Sequence, residues 1–137
     1  MNIVPSLELV DSWCCTIEKR GLSGIARIID ADLDVLKLQD KLGRSLAHEL
    51  CLCKLDGSYD LFVHVIEMRG EILYIGDNEG FLPSHMAAQE GKINLCTEIQ
   101  SRSPTSLTEK SKHGRTPLHF AAQHGRFEIC SEFYTYL

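Results

Sequence analysis

The chain has 137 residues, of which 44% are hydrophobic and 24% charged, and its formal net charge is −5. These proportions are those of a single soluble globular unit and exclude a disordered or low-complexity chain. No apolar run approaches eighteen residues, so no helix is expected to cross a membrane, and the acidic balance argues against a nucleic-acid partner, which prefers a basic surface.

The opening text, MNIVPSLELVDSW, places an acidic residue at position 8 and has no basic run before an apolar core, so no secretory leader is expected. Over 6–20, Ser6 can cap a helix on which Leu7, Val10, Trp13, Cys14 and Ile17 recur at three- and four-residue steps. Trp13 reads as a packing residue. A second helix is expected over 22–31, and then a loop in which Asp40 stands three residues before Gly43.

The next helices are expected over 46–54 and 59–68, with CLCKLDG between them. That connection carries three residues more than its counterparts downstream, so either the helix is extended or the turn bulges. Cys51 and Cys53 stand two apart, pointing away from each other on a helix, and no second pair follows at zinc-site spacing, so no metal site is expected. Cys51, Cys96 and Cys130 all fall on expected helical faces, where a reduced thiol packs as a small hydrophobe. A reducing, intracellular setting follows, the cytoplasm first and the nucleus not excluded.

Helices over 83–89 and 93–101 come next, preceded by the loop EILYIGDNEG. The text SRSPTSLTEKSKHG after them is the most polar stretch of the chain and is expected as a solvated loop, with phosphorylation at Ser103-Pro104 the alternative. Thr116 and Pro117 then suit a helix start, since the hydroxyl can accept from free amides and proline loses no hydrogen bond at the first position. Leu118, Phe120, Ala121 and Ala122 give a short apolar face before Gly125 stops the helix. A last helix from Arg126 carries Ile129, Cys130, Phe133, Tyr134 and Tyr136. So apolar an end suggests that the natural chain continues, or that this helix meets a partner or a second copy.

The text repeats itself. GRTPLHFAAQHG at 114–125 is answered 34 residues upstream by GFLPSHMAAQEG, with Pro83 for Pro117, His85 for His119, and Ala87-Ala88 for Ala121-Ala122. A weaker copy, GRSLAHELC, opens at Gly43 with Ser45 in the threonine slot and His48 in the histidine slot. The closing glycines Gly21, Gly57, Gly91 and Gly125 are 36, 34 and 34 residues apart. Four, five and eight residues after each come apolar side chains: Ile25, Ala26 and Ile29; Leu61, Phe62 and Val65; Leu95, Cys96 and Ile99; Ile129, Cys130 and Phe133. Those offsets lay one stripe along a second helix.

On these residues the chain resembles the ankyrin-repeat proteins, whose signature T-P-L-H-x-A recurs at about 33 residues. Thr116, Pro117, Leu118, His119 and Ala121 match it throughout, whereas Leu46 replaces the proline of the second unit, and Leu82 and Ser84 replace the threonine and leucine of the third. The third unit is therefore expected to be locally weaker than the fourth. The resemblance implies an all-α solenoid of about four helix-turn-helix units joined by hairpin loops, over 6–39, 40–76, 77–110 and 111–137, forming one domain with a divergent N-terminal unit. It also implies that His48, His85 and His119 bond local backbone and tie each repeat to the next.

Residues of the family that contact partners lie between the loop aspartate and the glycine, just after that glycine, and just after the Ala-Ala pair. In this chain they are Lys41, Leu42 and Arg44; Asn78, Glu79 and Phe81, with Gln89 and Glu90; and Lys112, His113 and Arg115, with Gln123 and His124. Lys110, Lys112, His113 and Arg115 make a basic end, and Asp77, Glu79 and Glu90 an acidic middle, which suits an extended protein partner that is acidic near the fourth repeat. No phosphate loop, H-E-x-x-H helix or G-x-S-x-G elbow is present, and His64, His113 and His124 have no nucleophile at a telling offset. Neither catalysis nor a cofactor is expected. Two function classes stand open: a scaffold or adaptor module that binds a partner protein, or the recognition arm of a larger enzyme, channel or effector whose active part lies outside this chain.

Overall fold

The computed structural model describes residues 13–133; Ser6, Leu7 and Val10 of the first expected helix, and Tyr134 and Tyr136 of the last, lie outside them. All regular structure among the described residues is helical: α1 (Trp13–Ala31), α2 (Leu46–Leu52), α3 (Ser58–Met68), α4 (Pro83–Gln89), α5 (Ile93–Arg102), α6 (Pro117–Gln123) and α7 (Phe127–Phe133). α1 is two helices in one span, because Gly21 breaks it with φ 74° and ψ 164°. The short helices α2, α4 and α6 each pair with the helix that follows, and α4 packs between α2 and α6 in a side-by-side stack.

Local chemistry explains where each pair starts and turns. α4 and α6 begin on proline, and the threonine before α6 accepts the His119 N–H at 3.3 Å. α2 stops at Leu52 after seven residues, the same length as α4 and α6, so the three extra residues bulge the turn and leave the helix unextended. The core runs continuously through the stack and is dominated by the second-helix stripe, in which Ile25, Ile29, Phe62, Val65, Cys96, Ile99 and Ile129 are all almost completely buried. Burying a side chain of this size from water is worth roughly 1.5–3 kcal/mol, which the short helices could not gain alone.

The connections depart from expectation. Each of the three stretches expected as loops contains a 3₁₀ turn, at Leu33–Lys37, Gly70–Tyr74 and Pro104–Thr108. Each turn plants two adjacent residues in the core: Val35 and Leu36, Ile72 and Leu73, Ser106 and Leu107. Ser103 is accordingly buried, its hydroxyl bonded to Ser106 Oγ at 2.7 Å and to the Tyr74 hydroxyl. The accessible phosphorylation site fails there, and the solvated-loop reading holds only in part, because Ser103, Ser106, Leu107 and Ser111 fold inward while the rest of the stretch stays exposed.

Candidate protein-binding surface

The hairpins between the helix pairs are closed by one recurring pattern. Asp40 N donates to Arg44 O at 2.9 Å and Gly43 N to Asp40 O at 2.8 Å; Asp77 with Phe81 and Gly80, and Ser111 with Arg115 and Gly114, repeat both bonds. A carboxylate or hydroxyl holds each tip from within: Asp40 Oδ1 accepts from the amides of Leu42 and Arg44, Asp77 Oδ1 from those of Glu79 and Phe81, and Ser111 Oγ from those of His113 and Arg115. The glycine that ends each tip has positive φ, which favours glycine over any side chain. At Gly80 a Cβ would in addition lie 2.9 Å from the Lys112 amide nitrogen, so the next hairpin approaches too closely for one.

Neighbouring tips are bonded backbone to backbone. Asn78 N donates to Leu42 O at 3.0 Å, and Lys112 N to Glu79 O at 3.1 Å. Asn78 Nδ2 adds a bond to Lys41 O at 2.9 Å, Lys112 Nζ one to Asn78 O at 2.7 Å, and the His113 ring lies 3.1 Å from Glu79 Oε1. Lys41, Leu42, Asn78, Glu79, Lys112 and His113 thus form one exposed row across three repeats. Leu42, 51% exposed, is its apolar member.

The remaining expected contact residues divide. Arg115 is exposed and donates to Gln123 Oε1 at 2.9 Å, joining two of them, while His124 Nδ1 lies 3.0 Å from Phe120 O. Gln89 and Glu90 are half-buried at the end of α4, and the Gln89 carbonyl accepts from Arg126 Nε at 2.8 Å. Arg44 is half-buried, with its Nε enclosed. Phe81 lies away from the exposed row, wedged edge-on against Phe120 at 4.9 Å and 5.8 Å from the His85 ring, where it fills the joint between repeats. Sequence could not show this, because the ring it meets is 39 residues away.

The signature histidines are structural. His48 Nδ1 accepts the Ser45 N–H at 3.0 Å, which leaves the ring proton on Nε2, 2.6 Å from Phe81 O. His85 repeats the arrangement with the Leu82 N–H at 3.0 Å and Arg115 O at 2.9 Å. Burial pushes both rings below the usual histidine range, against the opposing pull of the carbonyls they face. Neutral rings are what this double role requires. Glu49, in contrast, was not singled out from sequence: it occupies the slot of Met86 and Phe120, is buried, and has its carboxyl pushed up by desolvation while Arg44 partly offsets this. Cys51 and Cys96 are buried thiols whose pKa burial raises, Cys96 to about 12, so neither is a reactive thiolate.

Among the described residues, no three His, Cys, Asp or Glu side chains stand where they could hold a metal ion, and no helix is long and apolar enough to cross a membrane. The ankyrin repeat family model matches residues 113–134. No curated protein is found to match the chain. Ankyrin repeats are in general protein-protein interaction modules, and the family is typically not enzymatic. With that repeat matched at 113–134 and helix pairs of the same build stacked before it, the chain carries an ankyrin repeat near its C-terminal end and is consistent with an ankyrin-repeat protein.

Proposed function

We propose that this chain is a scaffold or adaptor module that binds a partner protein along the row of hairpin tips and the adjoining exposed ends of the short helices. One observation carries this reading: Lys41, Leu42, Asn78, Glu79, Lys112 and His113 are exposed, yet neighbouring tips are held in register by backbone hydrogen bonds, so they meet a partner with little backbone ordering left to do. Along the row a basic tip at Lys41 is followed by an acidic one at Glu79 and a basic one at Lys112 with Arg115 beside it, an order that favours an extended protein segment that is acidic near the fourth repeat. The commitment of His48 and His85 to backbone groups on both ring nitrogens supports a binding role for the module over a catalytic one. An intracellular setting suits the buried thiols Cys51 and Cys96, which pack as small apolar groups.

The test compares partners captured by the wild type, by a Leu42→Glu, Arg115→Glu variant, and by Leu55→Glu, a control at an equally exposed leucine outside the tip row. Binding lost only in the tip variant supports the reading. Equal recovery from all three overturns it. Phe81 is left intact because its removal would disturb the joint.

A further inference from the structure

The joints between units 2 and 3 and between units 3 and 4 are made by the same parts. An N–H from the incoming hairpin reaches the tip carbonyl of the unit before it, Asn78 to Leu42 and Lys112 to Glu79. The histidine of the earlier unit reaches the carbonyl just past the hairpin glycine, His48 to Phe81 and His85 to Arg115. The cation after the closing glycine reaches back to the end of the preceding short helix, Lys92 to the Cys53 carbonyl and Arg126 to the Gln89 carbonyl. Glycines leave room for the approach, since a Cβ on Gly80 would crowd Lys112 and one on Gly91 would sit 2.8 Å from Arg126 Cδ.

The outer side of the fourth unit carries the same receiving parts, and there they are open. His119 holds the Thr116 N–H on Nδ1 at 2.9 Å, as its counterparts do, but its ring is exposed and Nε2 has no partner among the described residues. A Cβ on Gly114 or Gly125 would meet nothing within 4 Å. Ala122 is exposed where Ala88 is fully buried, and Phe127, at the start of α7, is 78% exposed.

We infer that this side of the fourth unit is a docking face for one further helix-hairpin unit of the same repeat type, which would bring a hairpin amide to the His113 carbonyl, a carbonyl to His119 Nε2 and a cation to the end of α6. Continuity with the two internal joints is the argument. A second copy of the chain is a poorer occupant, because the matching parts of its third and fourth units, Asn78 N, Phe81 O, Lys112 N, Arg115 O and Arg126 Nε, are already engaged by their own neighbours. This face meets the tip row only at His113, through its main-chain carbonyl, and its test reads His119 instead of the tip side chains, so the two readings can fail separately.

A chain that repeats residues 104–137 once more directly after Leu137 keeps the 34-residue spacing of the closing glycines and tests the face. Urea unfolding is followed for the parent and extended chains, each with and without His119→Ala. Docking predicts one cooperative transition for the extended chain, at a higher midpoint and with a steeper denaturant dependence. It also predicts that His119→Ala lowers the folding equilibrium constant about tenfold more in the extended chain than in the parent, the effect of one further hydrogen bond of ordinary strength. An extension built from residues 70–103, in the same register, is the second variant. The inference is overturned if both extensions unfold separately from the parent units or aggregate, if His119→Ala has the same effect in every background, or if the parent dimerises by sedimentation equilibrium through a contact that His119→Ala abolishes.

Discussion

The third and fourth units carry nearly the same words in unlike surroundings. The fourth has the whole signature, including the threonine cap, yet Ala122 and His119 are exposed. The third lacks that hydroxyl and has serine in place of leucine, yet Ser84, His85, Met86, Ala87 and Ala88 are all buried between neighbours. Its Ser84 hydroxyl also donates to Ser106 O at 2.9 Å, so the substituted residue found a partner instead of leaving a gap. In a stack, what a motif residue contributes depends on whether a neighbour covers it, more than on how well the motif is spelled.

The harshest way to break this comparison is to place the same charge at equivalent sites. Ala88→Asp should cost about 3 kcal/mol or more, since a carboxylate would be buried without a partner, whereas Ala122→Asp should stay within about 0.5 kcal/mol. Urea unfolding of the two variants measures it, and equal losses would mean that the fourth unit's outer side is covered.

Histidine gives the next largest contrast. His85→Ala removes two hydrogen bonds and strands the Leu82 N–H and the Arg115 carbonyl, for roughly 2–3 kcal/mol; His119→Ala removes only local bonds, to the Thr116 N–H and hydroxyl, for about 1 kcal/mol. A pH series sharpens the same point. Because burial holds His48 and His85 below the ordinary histidine value of 6.5, the unfolded chain takes up protons first as pH falls. Stability is therefore intact above that value and is lost as pH drops through it toward the folded values. Thermal unfolding between about pH 7.5 and 5.5 should show this slope, and His85→Gln should flatten it. The smallest effect concerns the caps: Thr116→Ala should cost about 1 kcal/mol, and Leu82→Thr should return at most that much to the third unit, read from denaturation midpoints.

Much of this architecture was legible from local chemistry. Pro83 with Gly91 gave α4 to the residue, Thr116-Pro117 with Gly125 gave the start of α6 and bracketed its end, and the positions four, five and eight past each closing glycine marked most of the buried stripe. The 3₁₀ turns were not legible, because two adjacent apolar residues such as Ile72-Leu73 have neither helical nor strand period, and in Pro104–Thr108 one of the pair is a serine. For the contact surface, sequence named the tips but not their linkage. Whether Phe81 points outward or into the joint depends on Phe120, and whether Arg44 is free depends on the packing around it; neither neighbour is signalled by local text.

The bonds from Asn78 to Leu42 and from Lys112 to Glu79 are main-chain bonds, indifferent to which side chains the tips carry. Substitution along the row can therefore rewrite charge and bulk while the interval between successive tips holds constant. The row is a ruler whose graduations are fixed and whose markings are free to change.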